Sequence, residues 1–410
     1  MKTTIAIERT TQDVISVRSS LNKLLTNLGA DSIFAGKKRI LLKPNLLIPK
    51  PPDAGITTHP EVVAAMIDWL VEYGIVKEDI VVAESSSTFS SNVTRRAFNK
   101  CGIQEVCESR GVRWTPFEGT KMVRVDLPTG KMVKFLNISE ELVRAEVVIN
   151  LPILKTHNLT VITAAIKNMF GSLVLTNKTD MHARFPAYTD FAEMLVDVYS
   201  VSKPSLTIVD GITAMEGNGP GAGGKLVELG LLLAGTDPVA IDTICAEIMG
   251  FDQRLILSTQ AAARRGLGTN NVAEIEIAGV SLDEIRRKFK FPGTYKLYRF
   301  IFNSRIGHTL APLMKKFTGV RAWYDKKTCV SCGDCVNICP GHALKIQKVG
   351  STPTWTKEKC INCHCCEEIC PKGAAHVGIA GINGIWPYLI VFLTILVTII
   401  WFITRLVTWS

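Results

Sequence analysis

The sequence has 410 residues, too many for one ordinary hydrophobic core, so two domains with accessory segments are expected. Its 47% hydrophobic and 20% charged residues exclude a disordered or fibrous chain and suggest a globular protein with some membrane character. The net charge of +10 comes with no recognised nucleic-acid module, so nucleic-acid binding is set aside.

The opening residues 1–9 contain no apolar stretch of the secretory type, which predicts a protein that stays in the reducing cytosol. Over residues 1–290 strand-like and helix-like segments alternate. Short apolar runs at 39–42, 79–83, 147–150, 206–209 and 229–234 read as strands. Helices are expected over 60–74, 93–100, 164–170, 190–200 and 237–250, the last with Pro238 at its first position and Asp237 as its cap. Asp190 and Glu193 suggest a capping box, and the turn-rich stretch 114–136 around Thr129-Gly130 looks like an inserted hairpin. This alternation predicts an α/β domain with a mostly parallel sheet.

In such a sheet, ligands bind at the carboxyl ends of the strands. The residues that follow the predicted strands are Lys43-Pro44-Asn45, then Glu84, then Lys155-Thr156-His157, then Asp210-Gly211 leading into the run 216–224. With Lys167 and Asn168 they make a cation- and amide-rich group suited to a carboxylate or phosphate. Lys43, Asn45, Lys167, Asn168, Gly217 and Gly219 are the substrate-binding candidates, and Lys155, His157, Glu84 and Asp210 the catalytic ones. The glycine run lacks dinucleotide or P-loop spacing and also reads as a plain loop. Asp242 reads as a surface residue of its helix.

Between Lys290 and Lys327 there are nine basic residues and one acid, interleaved with aromatic and aliphatic side chains. Residues 291–323 are therefore expected to form a basic amphipathic linker that seeks a membrane surface.

Two cysteine runs follow in a ferredoxin segment expected over 324–380: Cys329, Cys332, Cys335, Cys339-Pro340, and Cys360, Cys363, Cys366, Cys370-Pro371. This doubled C-x2-C-x2-C-x3-C-P spacing is the bacterial two-cluster ferredoxin pattern, in which the fourth Cys of each run ligates the other cluster. Two 4Fe–4S clusters are predicted, one on Cys329, Cys332, Cys335 and Cys370, the other on Cys360, Cys363, Cys366 and Cys339. Zinc sites or disulfides do not ordinarily repeat this pattern. Cys365 has no place in it and reads as a buried bystander.

Residues 385–404 carry no charge, and aromatic residues flank both ends. Twenty apolar residues span a bilayer core as a helix, so 384–405 is expected to be a C-terminal transmembrane anchor, with the bulk of the chain on the cytoplasmic face of the cell membrane. Only residues 378–384 separate ferredoxin from anchor, a reach of at most ~25 Å, which would hold the clusters near the bilayer.

The segments LLKPNLL, TTHPEVV, NLPILKTHNLT, AAIKNMFGS, VDGITAMEGNGPGAGG and AGTDPVAIDTICAEIMG resemble the domain-of-unknown-function family 362 over roughly residues 5–285. The resemblance implies an iron–sulfur protein, and fusion to a two-cluster ferredoxin is frequent in that family. It implies no settled reaction. Three readings follow. The first is an anchored iron–sulfur oxidoreductase acting on an anionic or lipid-like substrate. The second is an electron-transfer subunit linking a ferredoxin- or flavodoxin-like donor to a quinone or membrane partner. The third is a metal- or cofactor-handling protein using His59, His157, His182, Asp210 and Glu84.

Overall fold

The computed structural model of the chain describes residues 2–86, 91–174, 176–185, 187–292, 320–361, 363–379 and 394. Apart from residue 394, the expected anchor at 384–405 lies outside the described residues, as does most of the basic linker at 291–323. Among the described residues no helix is long and apolar enough to cross a membrane.

In chain order the strands are β1 (Thr3–Arg9), β2 (Ile40–Pro44), β3 (Ile80–Glu84), β4 (Arg113–Pro116), β5 (Met122–Asp126), β6 (Phe135–Ser139), β7 (Val147–Leu151), β8 (Ile153–His157), β9 (Val161–Thr163), β10 (Leu206–Gly217), β11 (Gly224–Gly235) and β12 (Ile275–Gly279). Strands β5 and β6 form a separate hairpin inside the stretch read as an insertion. The others build one sheet in the order β12-β1-β11-β10-β7-β2-β3-β4, with β8 continuing along β10 and β9 folded back on β8. Most pairings are parallel; β1 with β11, β10 with β11, and β8 with β9 are antiparallel.

The central strands are buried along their length because both faces of the sheet are covered. Leu41, Val81, Ala83 and Val148 point into one core, with the helices Tyr188–Val201, Pro238–Ile248 and Leu257–Arg264. Their sequence neighbours Ile40, Leu42, Ile80, Val82, Val147 and Ile149 point into the other, under the helices Val14–Leu28, Pro60–Tyr73 and Ile103–Arg110. The two-residue side-chain period of a strand produces this division.

The structure departs from the sequence reading in three places. The runs read as separate strands at 206–209 and 229–234 are parts of a twelve-residue antiparallel pair, β10 and β11, so Asp210-Gly211 lies mid-strand and the glycine run is the hairpin tip. Lys155 and His157 lie within β8 rather than in a loop after it. Asp190 sits in the first turn of Tyr188–Val201, whose cap Ala187 receives no side-chain bond, so the expected capping box does not form.

The cysteine-rich segment folds around β13 (Val320–Tyr324), paired with β16 (Ala375–Ile379), and β14 (Leu344–Lys345), paired with β15 (Thr354–Trp355). Two short helices, Asp334–Asn337 and Cys365–Ile369, complete its two halves. A third apolar cluster joins this unit to the sheet unit, mixing Leu47, Ile48, Ile56 and Met215 with Ile338, Cys366, Ile369 and Val377. Such shared burial fixes one unit on the other.

Candidate functional site at the seam between the two units

The eight motif cysteines divide between two cavities of about 350 and about 340 Å3. Cys339, Cys360, Cys363 and Cys366 line the first; Cys329, Cys332, Cys335 and Cys370 line the second. Each set takes three thiols from one run and the fourth from the other. Among the described residues no three His, Cys, Asp or Glu side chains converge on a point that a single ion could occupy. Four thiols around a cavity suit a cluster rather than a zinc ion. One buried donor at these cavities, Trp355 Nε1, lacks a hydrogen-bond partner, and the Tyr324 hydroxyl faces the thiols of Cys335 and Cys366. Orphaned buried donors are rare unless an acceptor belongs there, and cluster and thiolate sulfurs are such acceptors. The residues present therefore fit 4Fe–4S binding.

A larger cavity, about 750 Å3, lies where the two units meet. From the sheet unit come Asn45, Glu84, Lys155, His157, Thr163, Lys167, Asn168, Lys178 and His182; from the cysteine-rich unit come Ile338, Cys365 and Glu368.

Four lysines approach it, each differently supported. Lys43, fully buried, pairs with Glu84 and donates to the Asn168 carbonyl at 2.6 Å; it stands behind the wall rather than in it. Lys178 donates to the carbonyls of Ser85 (2.7 Å) and Ser86 (2.9 Å), and burial pushes it down to about 8. Lys155 donates to Asn45 Oδ1 (2.8 Å) and the Ile56 carbonyl (2.6 Å), with no carboxylate in ion-pair range among the described residues. Burial, reinforced by the charge of Lys167, lowers Lys155 to about 7. Among the described residues the contact to the Lys167 ammonium is the ring of Phe170, 4.7 Å from its Nζ, and burial lowers it too. Neither Lys155 nor Lys167 forms an ion pair among the described residues, although the Glu368 carboxyl opposite lies near enough to raise both against burial.

His157 is 1% exposed, and its Nδ1 accepts the Leu159 N–H at 3.0 Å, which places the ring proton on Nε2. Nε2 comes within 3.3 Å of Glu368 Oε1, but the pair is not aligned as a hydrogen bond and both atoms remain unpartnered. Burial and the nearby lysines hold His157 well below the usual histidine range, so it is a neutral N–H donor. His182, packed between Phe170 and Phe191, is lowered to about 3 by burial.

An amide chain positions these groups. Asn45 Nδ2 donates to Asn168 Oδ1 (3.0 Å), and Asn168 Nδ2 donates to Asn150 Oδ1 (2.8 Å). Asp242, buried rather than on the surface, accepts from Ala165 N (2.6 Å) and Ile166 N (3.1 Å) and so holds the turn carrying Lys167. Helix Pro238–Ile248 is buried nearly all round, so its period could not expose this. Asp237 caps the same helix through Val239 N and Ala240 N, as expected.

Other candidates take structural places. Asp210 accepts from His59 N (2.8 Å) and Ile212 N (3.1 Å), bracing the start of a helix and the irregularity in β10. His59 Nδ1 caps its own helix through Glu61 N. His59, His157, His182, Asp210 and Glu84 do not come together as a metal site. Gly217 and Gly219 do not line the cavity; a Cβ on Gly219 would meet the Thr156 carbonyl at 2.4 Å. The glycine run is a docking edge, because a Cβ on Gly221 would meet the Glu368 carbonyl at 2.8 Å and one on Gly373 the Ala222 carbonyl at 3.0 Å. Lys50 Nζ to the Pro371 carbonyl (2.7 Å) and Asn158 Nδ2 to Glu367 Oε2 (3.0 Å) close the seam.

The sequence reading missed Lys178, Thr163 and Glu368, named His182 only as a metal- or cofactor-ligand candidate, and treated Cys365 as a bystander. Cys365 is buried, lines the cavity and lies between the cluster ligands Cys363 and Cys366. Its only sequence signal was that it is a ninth cysteine in an eight-ligand pattern.

The profile of the family described as domain of unknown function DUF362 matches residues 40–247, and that of the 4Fe-4S dicluster domain matches 328–374. The thylakoid-associated protein sll1697 of Synechocystis sp. is 34% identical over 254 residues, 62% of this chain and 76% of that protein. The lactate racemase apoprotein from Thermoanaerobacterium thermosaccharolyticum aligns in structure at 11% identity with a TM-score of 0.41, over 61% of this chain and 57% of that one.

Proposed function

The chain belongs to the DUF362 family and carries a 4Fe-4S dicluster domain, and on that premise we propose that it is a membrane-anchored iron–sulfur oxidoreductase acting on an anionic or lipid-like substrate at the seam. The observation that carries this reading is the shared cavity. One wall presents Lys155, Lys167 and the His157 N–H; the other presents Cys365 and Glu368, from the segment that also carries cluster ligands Cys363 and Cys366. Two clusters, one per four-cysteine cavity, would supply single electrons when bound.

The remaining work falls to the chain. Lys155 and Lys167 hold the anion in a site where burial strengthens each interaction. His157, held neutral, offers the bound anion a hydrogen bond from its Nε2–H. Glu84 keeps Lys43 in place, and Asp242 sets the turn bearing Lys167. The uncharged run 385–404 supports a membrane anchor, with the chain on the cytoplasmic face. A relative named as thylakoid-associated is consistent with that setting.

The test starts from anaerobically purified protein whose clusters have been reduced. Cluster absorbance is followed as metabolite and lipid extracts are added to wild type and to Lys155→Ala. Fast reoxidation in wild type and slow reoxidation in the variant, at equal iron content, is the expected result. Equal rates would remove the cavity from the electron path and favour a carrier subunit.

A further inference from the structure

The two four-cysteine sites face different surroundings. Cys339, Cys360, Cys363 and Cys366 include no exposed thiol, and the helix that carries Cys366 packs on the glycine tip of the β10–β11 hairpin through Glu368. In the other set Cys332 is exposed, the one exposed thiol among the eight. Its neighbour Val330 is 58% exposed and Val349 is fully exposed. The loops bearing these two valines are tied together where the Ser331 hydroxyl donates to the Ser351 carbonyl at 2.5 Å, and Ser351 in turn bonds Lys348.

Lysines rim this small apolar patch. Lys326 and Lys327 lead into Cys329, Lys348 lies on the Val349 loop, and Lys372 lines the cavity of the exposed set; all four are exposed. The acids beside them are Asp325 and Asp334, and Asp325 is turned to the Lys327 backbone N–H at 2.9 Å. An apolar centre with a cationic rim is the pattern of a transient docking face, and charge there selects the partner and speeds encounter.

We infer that the Cys329–Gly333 loop, with Lys326, Lys327, Lys348 and Lys372 around it, is the docking face for an acidic one-electron carrier protein. The exchange is one electron with no bond made or broken: the carrier is oxidised by one electron and the site on Cys329, Cys332, Cys335 and Cys370 is reduced by one, or the reverse. The two ends of the cysteine-rich unit then have separate duties, one toward a protein and one toward the seam cavity. The inference rests on the iron–sulfur reading of the chain but not on the cavity being a substrate site. A failed reoxidation test of Lys155→Ala would leave it standing, and the reverse also holds.

The test uses the full-length, cluster-loaded chain and a dye-labelled flavodoxin, an acidic one-electron carrier, with binding read by fluorescence anisotropy. Affinity should fall as salt rises, and Lys326→Glu with Lys327→Glu should weaken it by about tenfold at low salt. Lys23→Glu with Lys100→Glu changes net charge equally on the sheet unit and should leave affinity within about twofold. Salt-independent binding, no binding at low salt, or equal loss in both double variants would overturn the inference. Because the first double variant could fail to load iron, carbodiimide cross-linking of wild type gives a second readout. Cross-links at Lys326, Lys327, Lys348 or Lys372 support the face; cross-links confined to the basic stretch between residues 290 and 316 overturn it.

Discussion

Sulfate keeps one charge state across the neutral range, so its affinity for the seam cavity should report the protonation of the protein alone. Burial beside Lys167 has lowered Lys155 to about 7. The free cavity therefore carries this charge almost fully at about pH 6 and on only about one molecule in ten at about pH 8. If sulfate binds the charged form, its dissociation constant should be about tenfold weaker at the higher pH, about 1.4 kcal/mol. His157 lies well below the window and stays neutral through it, while Lys178, lowered to about 8, already gives its protons to Ser85 and Ser86. Calorimetry under anaerobic conditions, in two buffers of different ionisation enthalpy, should show uptake of about half a proton at about pH 7 and nearly one at about pH 8. Lys155→Met should bind weakly through Lys167 and keep only the shallower dependence that Lys178 contributes toward pH 8. A wild-type affinity that is flat with pH, or the same slope in the variant, would refute the assignment of the titrating charge.

Four further outcomes follow. Gly221→Val places side-chain atoms against the Glu368 carbonyl, which even a Cβ would approach to 2.8 Å; a loss of about 1–3 kcal/mol in unfolding stability and weaker sulfate binding are expected. Cys339→Ala and Cys360→Ala, although in different runs, should lose the same cluster, leaving about half the iron and one set of paramagnetic signals. Tyr324→Phe removes a hydroxyl that lies against the sulfurs of Cys335 and Cys366 and has no other hydrogen-bond partner; redox titration should show lower cluster potentials at unchanged iron content, because a donor to a cluster thiolate stabilises the reduced form. The lowered pKa of Lys155 also acts on folding. Between about pH 7 and about pH 10 the unfolded chain holds a proton that the folded chain releases, so wild type should gain stability relative to Lys155→Met by about 1.4 kcal/mol per pH unit, as read by anaerobic urea unfolding.

What the sequence disclosed depended on whether the signal was local. The cysteine spacing lies within one short stretch and carries its own chemistry. Strands β2, β3 and β7 are apolar on both faces and therefore stand out as runs. The β10–β11 hairpin was obscured because its outer half is partly exposed and begins at Gly224, so glycine spacing there read as loop. The use of those glycines became visible only when Glu368 and Ala222, distant in sequence, met Gly221 and Gly373. Lys43, Asn45, Lys155 and Asn168 could be placed at the sheet edge by the rule that ligands gather there. Which of them face the cavity could not be read from that rule, since it depends on partners such as Glu84 and the Asn168 carbonyl.

Those partners also separate the buried lysines by function. A buried ammonium is tolerated when a carboxylate and further oxygens surround it, and Lys43 meets that condition with Glu84 and a carbonyl. Lys155 has neutral oxygens alone, and Lys167 an aromatic face. An apolar side chain at either place would avoid the desolvation of a charge, so folding does not account for them. Both line the cavity, with the His157 N–H unpartnered beside them and Cys365 opposite. An anion entering there would add to the counter-charge of Glu368, whose burial favours its neutral form, and would accept that N–H. It would do so against the segment that holds Cys363 and Cys366. The incomplete electrostatics of the sheet unit and the placement of the cysteine-rich unit thus point to one ligand.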